Sequence, residues 1–330
     1  MGDVTPENWG DAAGVGLVKV YRDSVVENFH AGHVVVVGAQ GQMVLSIGDP
    51  DRLTPTRSCL KPFQALPVLL DGLDDQRQLT PAEVAIMFGS HAGHDVHQQA
   101  VSDLLRRAYL SPDSLLCGQP RGATTRLAHP CSGKHAGMLL WAQAHGQDPA
   151  TYLNPESALQ QRILSELLRL TRLIRSELPL VTDGCGAPVA CMPLSRLAQL
   201  YAYLAHPPSA PAGFAGALTR LMTSVRTHPE CLEGDGLFDT ELCRLTAGTV
   251  VAKIGAGGVA CAAIAESRLG VAVKLESGAL DLTRAVLAEV LVHLGALPAA
   301  VADELVRTAV KPIKTTTGKV CGRVEVALPV

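Results

Sequence analysis

Apolar positions change their period twice along the chain. Between Val15 and Ile47 they gather in short β-branched runs, VGLVKVY, HVVVVGA and QMVLSIG, broken by glycine-containing turns, a pattern that predicts strands. From about Pro62 to His228 the spacing lengthens to that of helices. In TPAEVAIMF, Thr80 stands where a helix cap belongs, Pro81 at the first helical position and Glu83 where it closes a capping box. NPESALQQRILSELLRL repeats the device with Asn154 and Pro155, and its Ile163, Leu167 and Leu170 recur at helical spacing. Lys134–His145 reads as a helix stopped by Gly146. Strand character returns in GTVVAKIG, GVACAAI and GVAVKLE, followed by a helix near Asp281–His293 and a last strand in VCGRVEVAL.

Strands at both ends and helices between them predict a mixed α+β fold. Its mainly antiparallel sheet is drawn from residues 15–60 and 247–328, with the helical residues 61–230 beside it. AHPPSAPAG, residues 205–213, is the best linker candidate, but chemically rich segments lie on both sides of it. The 330 residues are therefore read as a single catalytic unit, although the length alone allows about two domains.

Composition narrows the function classes. Hydrophobic residues make up 47% and charged residues 18%, enough for a large core and unlike a disordered chain. The net charge is -3 and the 28 Lys and Arg are scattered, which argues against a nucleic-acid partner. The opening MGDVTPENWG lacks the charged-then-apolar pattern of a secretory leader, and no apolar run approaches the roughly 18 residues of a membrane span. The expectation is a cytoplasmic protein with no membrane partner. Nine cysteines, none in a C-x-x-C, fit neither a disulfide framework nor a zinc ribbon.

Several segments concentrate reactive side chains. TRSCLKPFQALP holds Ser58 and Lys61 one helical turn apart, so both can share a face, and Pro62 suggests a tight helix entrance there. A serine becomes a nucleophile when a base takes its proton, and a lysine is such a base only once its pKa is lowered. A capping serine beside a surface lysine is the competing reading. FGSHAGHDVH exposes Ser90 at a helix-to-loop transition. Its His91, His94 and His97, spaced three and three, lack the i, i+4 pairing of a zinc helix and read as solvated loop residues. HPCSGKHAGM crowds Cys131, Lys134 and His135 together. VTDGCGAPVA sets Asp183 and Cys185 among glycines at a strand end, which serves either a site or a tight turn. TVVAKIGAGG places Lys253 in an apolar strand, where burial should depress its pKa and suit it to act as a base.

In order and spacing, RSCLKPFQALP, SHAGHDVH, CSGKHAGM, DGCGAP and VAKIGAGGV resemble the L-asparaginase II family, the rhizobial-type (class 3) asparaginases, over roughly residues 16–295. The resemblance implies a fold like that of the serine β-lactamases and glutaminases, a homodimer, and hydrolysis of L-asparagine to L-aspartate and ammonia. It implies two Ser-Lys pairs, Ser58 with Lys61 and Ser90 with Lys253. The sequence does not decide which serine attacks; Ser58 is favoured. Arg57, Asp183 and His135 would hold the substrate, a small molecule. Cys131, Lys134 and Cys185 would bind Zn²⁺ beside the active site, the chemistry itself requiring no cofactor. EGDGLFDTEL lacks a cysteine that some members carry there. The alternatives are a β-lactamase, penicillin-binding-like or glutaminase-type serine hydrolase, and a non-catalytic zinc or amino-acid binding protein.

Overall fold

The computed structural model describes residues 14–329; the opening segment read above for a leader lies outside them. Among the described residues no helix is long and apolar enough to cross a membrane. The strands are β1 (Val15–Arg22), β2 (Val25–Gly38), β3 (Met43–Ile47), β4 (Leu53–Pro55), β5 (Leu180–Thr182), β6 (Pro188–Pro193), β7 (Val250–Gly255), β8 (Val259–Ile264), β9 (Leu269–Leu275), β10 (Ile313–Lys314) and β11 (Val320–Val326). The helices are α1 (Lys61–Gln64), α2 (Leu66–Leu70), α3 (Leu73–Gln76), α4 (Pro81–Phe88), α5 (Asp95–Arg107), α6 (Ser132–Ala144), α7 (Ala158–Thr171), α8 (Leu194–Ala205), α9 (Ala215–Thr227), α10 (Phe238–Leu245), α11 (Leu280–His293) and α12 (Ala299–Ala309).

An eight-stranded antiparallel sheet runs β10-β11-β1-β2-β9-β8-β7, with β3 also paired to β2. Both chain ends build it, as the strand–helix–strand pattern predicts. The run VVVV, Val34 to Val37, is apolar at every position because the sheet is covered on both sides. Val35 and Val37 pack with the helical middle, whereas Val34 and Val36 pack with α11 and α12 on the opposite face. Helix α8 lies so close to β9 that a side chain at Gly270 would run into the Ala198 carbonyl.

Local detail departs from the sequence reading in four places. The β5–β6 hairpin joins β4 in a separate three-stranded sheet inside the helical middle. The cap of α7 is Ser157, whose side chain accepts from the Gln160 amide at 3.3 Å. Asn154 instead takes the Glu156 amide in the turn before it. The linker candidate at residues 205–213 is packed down at both ends, since Ala205 and Phe214 lie in the core of the helical middle and Ala210 packs against it. Helices α10 and α12 were not anticipated; each is short and follows a glycine- or proline-rich segment that masks its period. The Thr80 capping box stands as predicted, Thr80 accepting from the Glu83 amide at 3.3 Å while the Glu83 carboxylate accepts from the Thr80 amide at 2.6 Å.

Candidate active site

Ser58 sits in a single 3-10 turn, Arg57–Leu60, that runs straight into α1, with Pro62 in the first turn of the helix. The turn begins on Arg57 at φ 48, a left-handed conformation that a non-glycine residue adopts at a cost of about 1 kcal/mol or more. Lys61 follows one turn later and is fully buried. Its Nζ donates to Gly89 O at 2.8 Å, Ser90 Oγ at 2.8 Å and Pro130 O at 2.9 Å. Those acceptors use all three ammonium protons, and none is a carboxylate. Burial lowers the Lys61 pKa to about 8, and the nearby Lys253 and Lys134 charges push the same way against the opposing Cys131.

Ser90 is aligned by a strand-like contact just beyond α4. Its amide donates to Leu232 O at 2.7 Å, and that of Ala92 donates to Glu233 O at 2.8 Å. A side chain at Gly89 would strike the Cys231 carbonyl, so only glycine lets the two segments approach this closely. Ser58, Ser90 and Arg57 are half-buried in front of lysines that are wholly buried. Accessible hydroxyls over desolvated amines are the ingredients of a serine hydrolase.

The resemblance assigns Ser90 to Lys253, yet Ser90 Oγ accepts its hydrogen bond from Lys61. Lys253 lies on β7 with no exposure. It donates to Asp239 Oδ2 at 3.1 Å and to Ile254 O at 2.9 Å. The surroundings of Lys253, apolar in the sequence, therefore include a buried carboxylate. Asp239 was missed because EGDGLFDTEL reads as a polar surface turn, and its burial comes from α10 folding over the open edge of β7. The signal available was an acidic residue in the first turn of a short helix, where the helix dipole favours negative charge. The main chain of β7 also backs the Ser58 turn, Cys59 Sγ donating to Lys253 O at 3.1 Å.

Asp183 reaches the same region from the β5–β6 hairpin. Its Oδ1 accepts from Arg57 Nε at 2.7 Å and from the Gly184 amide at 2.9 Å. Its Oδ2 lies 3.9 Å from Lys134 Nζ. Two of the residues that the resemblance assigns to the substrate therefore hold each other. Such a pair offers an amino-acid zwitterion both of the charges it needs.

Cys131 precedes α6, Lys134 lies in its first turn, and Cys185 follows Asp183. Cys185 Sγ donates to Asp183 Oδ2 at 3.9 Å. The neighbouring Cys185 thiol holds Cys131 far below the usual thiol range, aided by Lys61, His129 and Lys134, while Cys131 and burial push Cys185 up. Although burial opposes it, the charges of Cys131 and Asp183 raise the Lys134 pKa. Lys134 Nζ is buried and has no hydrogen-bond partner among the described residues. An orphaned amine beside two sulfurs fits a soft divalent cation such as Zn²⁺. Among the described residues no three His, Cys, Asp or Glu side chains are grouped to hold a metal ion.

His135, one residue further on α6, is buried, with Nδ1 2.6 Å from the Tyr152 hydroxyl and Nε2 unpartnered. The other histidines correct the sequence reading. His91 and His97 are buried rather than solvated. His91 uses both ring nitrogens, on Ser132 Oγ at 3.0 Å and the Gly93 amide at 3.2 Å. His97 does the same with Glu230 O at 2.8 Å and the His94 amide at 3.1 Å. No lone pair is left on either for a metal.

A sequence comparison with curated proteins finds no match. Among solved structures, a β-lactamase from Mycobacterium bovis is similar at 16% identity and a TM-score of 0.43, over 79% of this chain and 94% of that one. A likeness of that degree carries no argument about function. The family described as L-asparaginase II matches residues 18–326, nearly the whole chain and every segment of the site above. The chain belongs to the L-asparaginase II family.

Proposed function

We propose that the protein hydrolyses L-asparagine to L-aspartate and ammonia by Ser-Lys catalysis through an acyl-enzyme. The observation that carries this reading is Lys61, fully buried, with its pKa near 8 and its Nζ 2.8 Å from Ser90 Oγ, one turn after Ser58. A lysine of that kind loses and regains a proton near neutral pH, as a general base must.

The substrate's ammonium docks on Asp183 and its carboxylate on Arg57, which part from each other to receive it. Ser58 Oγ attacks the side-chain amide carbon, and its proton passes to neutral Lys61, with Ser90 as relay. The new C–O bond forms, the C–N bond breaks, and the proton leaves on ammonia. Water then attacks the ester, Lys61 takes its proton, and that proton returns to Ser58 as aspartate departs. Zn²⁺, held by Cys131, Lys134 and Cys185, would tie the start of α6 to the Asp183 hairpin, a structural or modulatory duty outside these steps.

The Lys61–Ser90 hydrogen bond favours a second assignment, with Ser90 attacking and Ser58 relaying. Ammonia release from asparagine, glutamine and β-aspartyl peptides, with nitrocefin hydrolysis in parallel, tests the substrate class. Nitrocefin turnover without ammonia release would overturn it. Ser58→Ala should abolish ammonia release while the fold persists. Near-wild-type release from that variant, with an inert Ser90→Ala, transfers the nucleophile to Ser90.

A further inference from the structure

Lys61 and Lys253 are both fully buried, but their partners differ in kind. Lys61 donates to two carbonyls and a hydroxyl, Lys253 to a carbonyl and a carboxylate. Asp239 is itself wholly buried. Its Oδ2 takes both Lys253 Nζ and the Ile254 amide, each at 3.1 Å, capping the open edge of β7 where the next strand would pair. A second layer holds Asp239 in turn: its amide donates to Glu233 Oε2 at 3.0 Å, and Arg284 donates to Glu233 Oε1 at 2.6 Å. Two carboxylates, Glu233 and Asp239, therefore stand side by side between the Arg284 and Lys253 cations.

This chain is a poor device for stability. Asp239 Oδ1 is buried with no hydrogen-bond partner among the described residues, and so is Arg284 Nε. A buried ion pair with an unsatisfied atom is generally no more stable than an apolar pair of equal volume. What it does accomplish is to fix a cation on the strand whose main chain backs the Ser58 turn at Lys253 O and Gly255, near enough for its charge to be felt at Lys61.

We infer that Asp239 is a positioning residue that holds Lys253 as a fixed ammonium, so that Lys61 exchanges protons while Lys253 supplies charge alone. The inference rests on the Ser-Lys amidohydrolase reading. It divides two lysines that the resemblance treats as equivalent members of two pairs. The fixed charge opposes protonation of Lys61 and favours the negative oxygen that develops on the attacked carbonyl.

The test uses the full chain and four variants, Asp239→Asn, Lys253→Met, the double Asp239→Asn/Lys253→Met, and Lys253→Arg. For each, kcat, KM and Tm are measured on whichever amide the wild type cleaves fastest. Asp239→Asn and Lys253→Met should each lower Tm, because each strands a buried partner. Each should also cut kcat roughly 10- to 100-fold with KM within about threefold. The double variant should regain Tm and not kcat, a split that a merely structural pair would not show. Folded Lys253→Arg should keep more kcat than Lys253→Met, since arginine keeps the charge and cannot give up its proton. Recovery of both Tm and kcat in the double variant overturns the inference. So does a folded Lys253→Arg as inert as Lys253→Met, which would make Lys253 a proton carrier. Should Lys253→Arg fail to fold, the double variant decides alone. A wild type that cleaves glutamine or β-aspartyl peptides but not asparagine defeats the substrate reading and leaves this comparison standing. One inert toward every amide defeats both.

Discussion

Two clusters of ligand-type side chains adjoin the Ser90 segment, and they are built on opposite terms. In the histidine cluster His91, His94 and His97 stack with ring centroids 5.0 and 5.3 Å apart, and His91 and His97 spend both nitrogens on hydrogen bonds within the protein. In the Cys131–Lys134–Cys185 cluster a buried amine has no hydrogen-bond partner among the described residues, and the thiols beside it are pushed in opposite directions. Residue type does not tell the two apart; hydrogen-bond satisfaction does. A buried polar atom without a partner costs roughly 1–3 kcal/mol, so a protein that keeps one has a use for it or a ligand to fill it. The unsatisfied side of the molecule also holds Lys61, whose charged form is penalised by burial. The satisfied side is architecture.

The largest expected effect breaks the comparison at Lys61. Lys61→Met should cut ammonia release by about 100-fold or more, the scale of a lost general base. Its Tm should nevertheless not fall. The folded pKa near 8 lies below the unfolded lysine value of 10.5, so the unfolded chain holds a proton that the folded chain lacks between those values. Stability therefore climbs as pH rises from about 8 to 10.5, and below 8 the penalty is present in full, on the order of 3 kcal/mol. Methionine removes that penalty, which offsets the hydrogen bonds lost at Gly89 and Pro130. In the wild type, activity should rise as pH climbs through about 8, because only neutral Lys61 accepts a proton. A pH-rate profile and melting curves check both statements. A Tm well below wild type would show that Lys61 serves the fold first.

Next in size is the contrast in metal binding. Zinc content after zinc-replete purification and dialysis should drop at least tenfold in Cys185→Ser, the usual scale for a lost ligand or its support. His97→Ala should keep its zinc and its activity. It should lose roughly 1–3 kcal/mol of stability, because the His94 amide and the Glu230 carbonyl are left without their buried partner. Zinc affinity should weaken as pH falls, since Lys134 must shed its proton to coordinate. Zinc lost from His97→Ala and retained by Cys185→Ser would invert the comparison.

Much of this was legible in the chain. The antiparallel sheet drawn from both ends follows from the two strand-rich blocks, and the Thr80 cap from a local motif whose partners lie three residues apart. The location of Lys61 beside Ser58 needed no more than one helical turn. The rest depends on contacts distant in sequence. Ser90 meets Lys61 across 29 positions, and Arg57 meets Asp183 across 126. Asp239 becomes a buried counter-ion because α10 lies across β7, which no local period encodes. His91 and His97 looked solvated because flanking glycines and Asp95 mark a surface loop; the segment Glu230–Glu233 then covers them.

The smallest effect separates what a motif promises from what the backbone delivers. Both TPAE and NPES look like helix starts, and the two helices are capped differently. Thr80 caps α4 from the predicted position, whereas α7 starts three residues later than NPES suggests, on Ser157. Removing a cap costs about 1 kcal/mol, because one of the four free amides of the first turn loses its acceptor. Thr80→Ala and Ser157→Ala should each lower stability by about that amount. Asn154→Ala should cost a few tenths, since its side chain serves an exposed turn that water can satisfy. None of the three touches the site, so ammonia release should stay within about twofold of wild type. Urea unfolding of the three variants resolves the difference. An Asn154→Ala loss as large as that of Ser157→Ala would restore the sequence reading, with the helix effectively beginning at Pro155.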